Sequence, residues 1–265
     1  MNQTFNLHRF GLMVRLELAE KGQSYLLSIL PILLFLFAMM VPITFSKEYN
    51  SNLEGLHPAA LLLSVFLGGS FYTSLAFNQY GAPANAISEV MIPASRLEKF
   101  FCAWFLNLLF IIPLFGLFIL LSDWTTNFAN HRLSQLGIRE QYVMLPAEMR
   151  NTYFLFYIII NGLVFLGSIY FKESAYLKTL GLTIALFIVL LVGNQWFARY
   201  LTSFPKNSLH ISPFEPGWQI VLEESSTYHN IMLAPAMQTY VNFLPFLVLV
   251  ALWYITYIRL TEREI

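Results

Sequence analysis

The chain has 265 residues, 57% of them apolar and only 11% charged, and its 15 basic and 15 acidic residues cancel. Soluble domains carry roughly 25% charged residues, so this composition points to an integral membrane protein. The neutral balance leaves no basic surplus for phosphates, and no nucleic-acid partner is expected. One cysteine, Cys102, excludes an internal disulfide framework and any multi-cysteine metal site.

Residues 5–20 predict a helix with two apolar stripes. Phe5, Leu12, Leu16 and Ala19 fall on one side, and Leu7, Phe10, Val14 and Leu18 roughly opposite, with Arg9, Arg15, Glu17 and Glu20 between. Such a helix suits the membrane interface, with one face toward lipid and one toward protein; otherwise it extends the first span. A spanning helix needs roughly 20 mostly apolar residues. Charge-free runs of that kind are Tyr25–Phe45, Pro58–Phe77, Phe101–Leu121, Tyr153–Tyr170, Thr179–Ala198 and Val241–Tyr257. Tyrosines and tryptophans such as Trp104, Trp124, Tyr170 and Trp196 mark many of their ends, as interfacial rings do. The expected fold is therefore an all-α integral membrane protein, one six-span domain over residues 1–265. No cleavable leader is expected, because the first apolar run is long and lacks a small-x-small site.

Six spans place both termini on one side. Arg9, Arg15, Lys21, Arg96, Lys99, Lys172, Lys178, Arg259 and Arg263 share that side, against Lys47, Arg132, Arg139, Arg150, Arg199 and Lys206 in the longer opposite loops. The bias predicts cytoplasmic termini.

Between the second and third spans, Pro83 can open a short helix and Pro93 ends it. Ser95-Arg96-Leu97-Glu98 then writes a capping box, in which Ser95 Oγ accepts the Glu98 N–H and the Glu98 carboxylate accepts the Ser95 N–H. The pattern reads as a rigid elbow, or as an ordinary loop before a well-capped helix. Residues 199–240 are unusually apolar for a loop, with Pro216-Gly217-Trp218, Ile220-Val221-Leu222 and Ile231-Met232-Leu233. They predict a half-inserted, re-entrant-like segment before the last span, or a compact loop over the span ends.

Catalytic chemistry finds no support. Asp123 is the only aspartate and sits at a span end, His8, His57, His131, His210 and His229 lie outside the core spans, and Glu223-Glu224 is followed by Tyr228 rather than the arginine of a membrane protease. Neither catalytic nor metal-binding residues are expected. Gly68-Gly69-Ser70 and Ser74 suit close helix approach. Gly162 to Gly167-Ser168 has phosphate-loop spacing but no lysine. Within the spans the polar residues are uncharged: Asn107, Asn161, Asn194 and Gln195. Asn161, Asn194 and Gln195 line a pathway or hydrogen-bond between helices. With no ionisable group expected at depth, energy for transport has to come from elsewhere.

The layout resembles the type-2 ABC exporter permeases. The nearest local likeness is Ile92-Pro93-Ala94-Ser95-Arg96-Leu97-Glu98-Lys99-Phe100, similar to the Leu-Pro-Ala-Ser-x-x-Glu-Lys-Phe run common in such permeases from Bacteroidetes-type bacteria, together with the charged tail Tyr257–Ile265. The resemblance implies a permease subunit in the bacterial plasma (inner) membrane. It would dimerise with a second permease, identical or not, and couple to a separate cytoplasmic ATPase that holds ATP and Mg. The family's coupling helix maps onto residues 84–92, with Asn85, Ile87, Ser88, Glu89 and Val90 as ATPase-docking positions. A scaffold or sensor subunit of a membrane complex would show the same spans and need no ATPase.

Overall fold

The computed structural model describes residues 5–77, 92–171, 174–202, 209–210, 217–221, 228–232 and 234–263. Six helices are long and apolar enough to cross a membrane, which fits a multi-pass membrane protein. They are α1 (Leu7–Met40), α2 (Ser51–Ser74), α3 (Arg96–Gln135), α4 (Ala147–Tyr170), α5 (Ala175–Thr202) and α6 (Pro235–Arg263). All six expected spans fall on these helices, most of which run well beyond them.

Two of the extensions correct the sequence reading. No separate interfacial helix precedes the first span: α1 is one 34-residue helix from Leu7. Its first turns are held by packing, with Met13 seated against Cys102 and Leu106 of α3. Likewise α3 continues past residue 121, because the buried stripe continues through Ser122, Thr125, Thr126, Ala129 and Leu133. Small polar residues there serve the helix interface, where a polarity count reads a loop.

α1 and α3 run side by side in the same direction. Asn6 bonds Glu98 where both helices begin (the near end), and Arg132 bonds Thr44 at the far end, at separations of 92 and 88 residues. Between these points Ile32, Leu36 and Met40 pack with Ile111, Leu114 and Phe118, and α2 adds Leu61, Val65 and Tyr72. Within α2, Leu61–Gly68 winds as a π-helix, a wider turn found where a helix must shift its face.

α4 lies at the centre of the second half. Half of its most apolar stretch is buried, 50%, against 6% for α5, so α5 stands at the periphery with its apolar face outward. Glycines let neighbours close on α4. A Cβ at Gly69 of α2 would run into the Tyr157 hydroxyl, one at Gly167 into Thr179 of α5, and one at Gly162 would come within 3.1 Å of Leu249 of α6. The expectation that Gly69 serves close approach holds.

Between α5 and α6 lies a three-stranded antiparallel sheet, in the order β1 (Leu209–His210), β2 (Gly217–Val221), β3 (Tyr228–Met232). Trp218 pairs with Ile231 and Ile220 with His229. In these described parts of 199–240 the chain pairs as strands, where the sequence predicts a half-inserted, re-entrant-like segment or a compact loop. The apolar residues there are largely aromatic and β-branched, and strands satisfy one another's backbone groups where a short helix leaves its ends open.

Candidate functional site

Ser95 holds extended backbone, φ −71 and ψ 154, immediately before α3. Its Oγ accepts the Glu98 N–H at 3.2 Å, and Glu98 Oε2 accepts the Ser95 N–H at 2.7 Å. The expected capping box is therefore present. The other carboxylate oxygen was not legible: Glu98 Oε1 accepts the Asn6 N–H at 2.7 Å and pairs with Arg9 Nη2 at 3.0 Å. Asn6 is itself the cap of α1, its Oδ1 accepting the His8 N–H at 2.9 Å. One fully buried carboxylate thus ties the starts of two helices, where both helix dipoles and a guanidinium favour its charge. Phe5 meets Phe101 edge-on at 5.9 Å and Phe10 meets Phe105 at 6.1 Å, closing the joint with apolar rings.

The docking positions Asn85, Ile87, Ser88, Glu89 and Val90 lie outside the described residues. In sequence, the Ser95 cap follows that segment, residues 84–92, after two residues.

Deeper between the helices, Thr73 of α2, Asn107 of α3 and Asn161 of α4 form a buried polar knot. Thr73 Oγ1 lies 2.6 Å from Asn161 Oδ1 and 2.9 Å from Asn107 Oδ1. Asn161 is fixed by its own Nδ2, which donates to the Tyr157 carbonyl at 2.7 Å. A hydroxyl has one proton. The shortest contact, to Asn161, is the best acceptor for it, with the Gly69 carbonyl at 3.0 Å competing, and the Asn107 amide completes the knot when turned to donate its Nδ2 to Thr73. Asn194 and Gln195 stand half-buried on α5, and no hydrogen bond joins them to this knot. Sequence reading singled out Asn161 and Asn107 but missed Thr73.

A third cluster carries ionisable groups on the part of α1 that precedes the expected first span. With α1 alongside α3 in this register, Glu17 falls level with residues 105–109 of α3, beside its charge-free run. Glu17 is buried; its Oε1 pairs with Lys21 Nζ at 2.7 Å and accepts the Tyr25 hydroxyl at 3.1 Å. Tyr25 and Tyr72 face each other at 5.7 Å between ring centres. They line a small pocket with Ala76, Ala103, Leu106 and Asn107. Steps of four and eight residues, Glu17 to Lys21 to Tyr25, put all three on one helix face, and that spacing was the available signal. Among the described residues no three His, Cys, Asp or Glu side chains gather as metal ligands.

Neither a protein family, a characterised protein nor a solved structure matches the chain. The class defined by the structure is a multi-pass helical protein with six apolar helices of spanning length.

Proposed function

We propose that the chain is the permease subunit of an ATP-driven ABC exporter, forming a pathway as a dimer and driven by a separate cytoplasmic ATPase. The observation that supports this reading best is the Glu98 joint. It binds the starts of α1 and α3 into one unit at the chain position where residues 84–92 arrive, the segment the family resemblance assigns to ATPase docking. A push on that segment moves two helices at once rather than bending one loop. Asn85, Ile87, Ser88, Glu89 and Val90 make the docking contacts in this reading. ATP and Mg are held by the partner, and both termini face the cytoplasm of a bacterial inner membrane.

The test is a mild-detergent pull-down of the tagged chain with partners identified by mass spectrometry. A stoichiometric soluble protein carrying a G-x-x-x-x-G-K-[ST] phosphate loop is the expected result, and Glu89→Lys should release it while leaving insertion intact. Absence of any ATPase across several detergents overturns the reading in favour of a scaffold or sensor subunit.

A further inference from the structure

α5 and α6 both pack on α4, through Thr179 against Gly167 and Leu249 against Gly162, and among the described residues they scarcely pack on each other. α5 turns Tyr176 toward α2, where its hydroxyl donates to the Leu67 carbonyl at 3.1 Å and its ring meets Phe71 edge-on. Lys178, two residues on and about 200° round the helix, faces the other way. α6 turns Trp253 and Tyr257 toward α3, against Trp104 and Phe100. Arg259, two residues after Tyr257, faces away from α3 by the same spacing. The sides of α5 and α6 that carry these two cations therefore border one groove, floored by half-buried Leu163 and Leu166 of α4.

Charge collects where this groove reaches the near end. The Arg259 guanidinium lies over the Tyr170 ring, 5.0 Å from its centre, and Lys178 Nζ lies 6.0 Å from the centre of Phe171. The two rings adjoin edge-on at 5.5 Å, so the cations flank the turn between α4 and α5. The negative end of α4 and the positive end of α5 meet here and offset each other, which leaves the side chains to set the sign. Glu262 accepts from Arg259 Nη1, and Arg259 Nε is buried with no hydrogen-bond partner among the described residues. A donor shut away from water calls for an acceptor, and the guanidinium edge that carries Nε suits a pair of phosphate oxygens. Arg259 and Lys178 against Glu262 leave one net positive charge, which one phosphodiester balances.

Below the cations the walls are apolar and uncovered. Leu182 and Val189 stand four and eleven residues beyond Lys178, on its side of α5, and Ile255 stands four before Arg259 on α6; all three are exposed. From Lys178 to Val189 the stripe runs about 16 Å, roughly half the hydrocarbon thickness of a bilayer and so the depth of one leaflet.

We propose that the groove between α5 and α6 binds an anionic phospholipid of the near-end leaflet, its phosphate on Arg259 and Lys178 and an acyl chain along Leu182, Val189 and Ile255. Arg259 fixes the phosphate by direction, and Lys178 adds a compact charge on a flexible stem. A zwitterionic lipid brings an ammonium of its own to the two cations and binds less well. The site needs neither an ATPase nor a second copy of the chain, so it stands apart from the exporter reading.

The experiment titrates the purified full chain in a maltoside detergent with phosphatidylglycerol carrying a fluorescent acyl chain, read by anisotropy. Phosphatidylcholine with the same chains is the control. The chain should prefer phosphatidylglycerol by about tenfold or more, the worth of a charge-assisted hydrogen bond. Arg259→Gln should remove most of that preference and Lys178→Met should cut it severalfold. Lys47→Met, which deletes an exposed cation at the far end, should leave it unchanged. Val189→Trp, which fills the groove below the cations, should weaken the long-chain lipid and spare dihexanoyl phosphatidylglycerol. Thermal unfolding of each variant reports folding, and Lys178→Met carries the test if Arg259→Gln does not fold. A preference that survives in folded Arg259→Gln and Lys178→Met, or that falls as far in Lys47→Met, overturns the proposal. Displacement by glycerol 1-phosphate at the lipid's own concentration also overturns it, since the cations would then hold a soluble anion.

Discussion

At the near end of the α1–α3 pair, Glu98 alone takes the N–H groups of Asn6 and Ser95 and the Arg9 guanidinium, in full burial. At the far end α3 is tied by many smaller contacts to the chain just past α1, to α2, to α4 and to the loops between them. Arg132 Nη1 donates to the Thr44 carbonyl at 3.1 Å, and Arg150 grips Asp123 with two bonds of 2.8 and 2.6 Å. Tyr142 lies beneath the loop before α2, its hydroxyl 2.9 Å from Ser46 Oγ and accepting the Asn50 N–H at 3.2 Å. Asn130 exchanges two bonds with the Tyr142 backbone, and His57 of α2 sits 3.3 Å and 3.4 Å from the Thr125 and Thr126 hydroxyls. The near end gathers its strongest described polar ties on one pin, the Glu98 carboxylate; the far end is a seam with many stitches. A pin concentrates the tie in one side chain, whereas a seam resists any one loss.

Substitutions at the two ends test that contrast. Glu98→Ala should have the largest effect, about 3 kcal/mol, since it strands the buried Ser95 N–H and the partly buried Asn6 N–H at about 1–3 kcal/mol each. Faster hydrogen exchange over residues 7–12 should accompany it, and a melting temperature like that of the parent would remove the pin from the account. Tyr142→Phe should cost about 1–2 kcal/mol by deleting a hydroxyl shared among several partners, read as a lower midpoint in thermal unfolding. Ser95→Ala loses a helix cap contributing about 1 kcal/mol; it should loosen the elbow to proteolysis without unfolding the protein.

Asp123→Asn should fall below about 1 kcal/mol, because the carboxylate is 33% exposed and water screens the pair. Adding salt should shrink the difference further. The smallest expected effect is at Tyr49, outside the helices. Its hydroxyl donates to Glu54 Oε2 at 2.5 Å, and that bond raises the phenol's pKa above its ordinary value. A raised folded-state pKa stabilises the protonated form. The contribution is therefore complete below the ordinary phenol range near pH 10 and is lost as pH rises through the folded value. Tyr49→Phe should unfold with a flatter pH dependence above about pH 10; an unchanged alkaline slope would mean that the bond does not persist in solution.

How far the sequence reaches follows from range. The Ser95–Glu98 box is legible because both partners lie within one turn, and the six helices are legible because charge-free runs of spanning length have few other uses. The Asn6–Glu98 bond joins residues 92 apart, and nothing local announces it. Thr73 carries the knot through two other helices, yet alone it looks like any threonine in an apolar run. Polarity misleads at the helix ends. Glu17 and Lys21 look like surface residues until α1 is laid along α3, and Ser122, Thr125 and Thr126 look like the start of a loop until their spacing of three and four is seen to continue the buried stripe. At 217–232 the apolar residues are visible, but their use in a sheet depends on strands that meet only after the chain turns.

Pro113 stands within α3, a helix of 40 residues that is about 60 Å long, roughly twice the thickness of a bilayer's hydrocarbon core. A proline in a helix interior has no N–H to give the carbonyl four residues earlier, here that of Leu109, and so marks the place where the rod yields most easily. The arms on either side, from Arg96 to Pro113 and from Pro113 to Gln135, come to about 25 and 33 Å. A bend at Pro113 changes the angle between the Glu98 arm and the Arg132 arm while leaving each a regular helix, and the longer arm sweeps the wider arc.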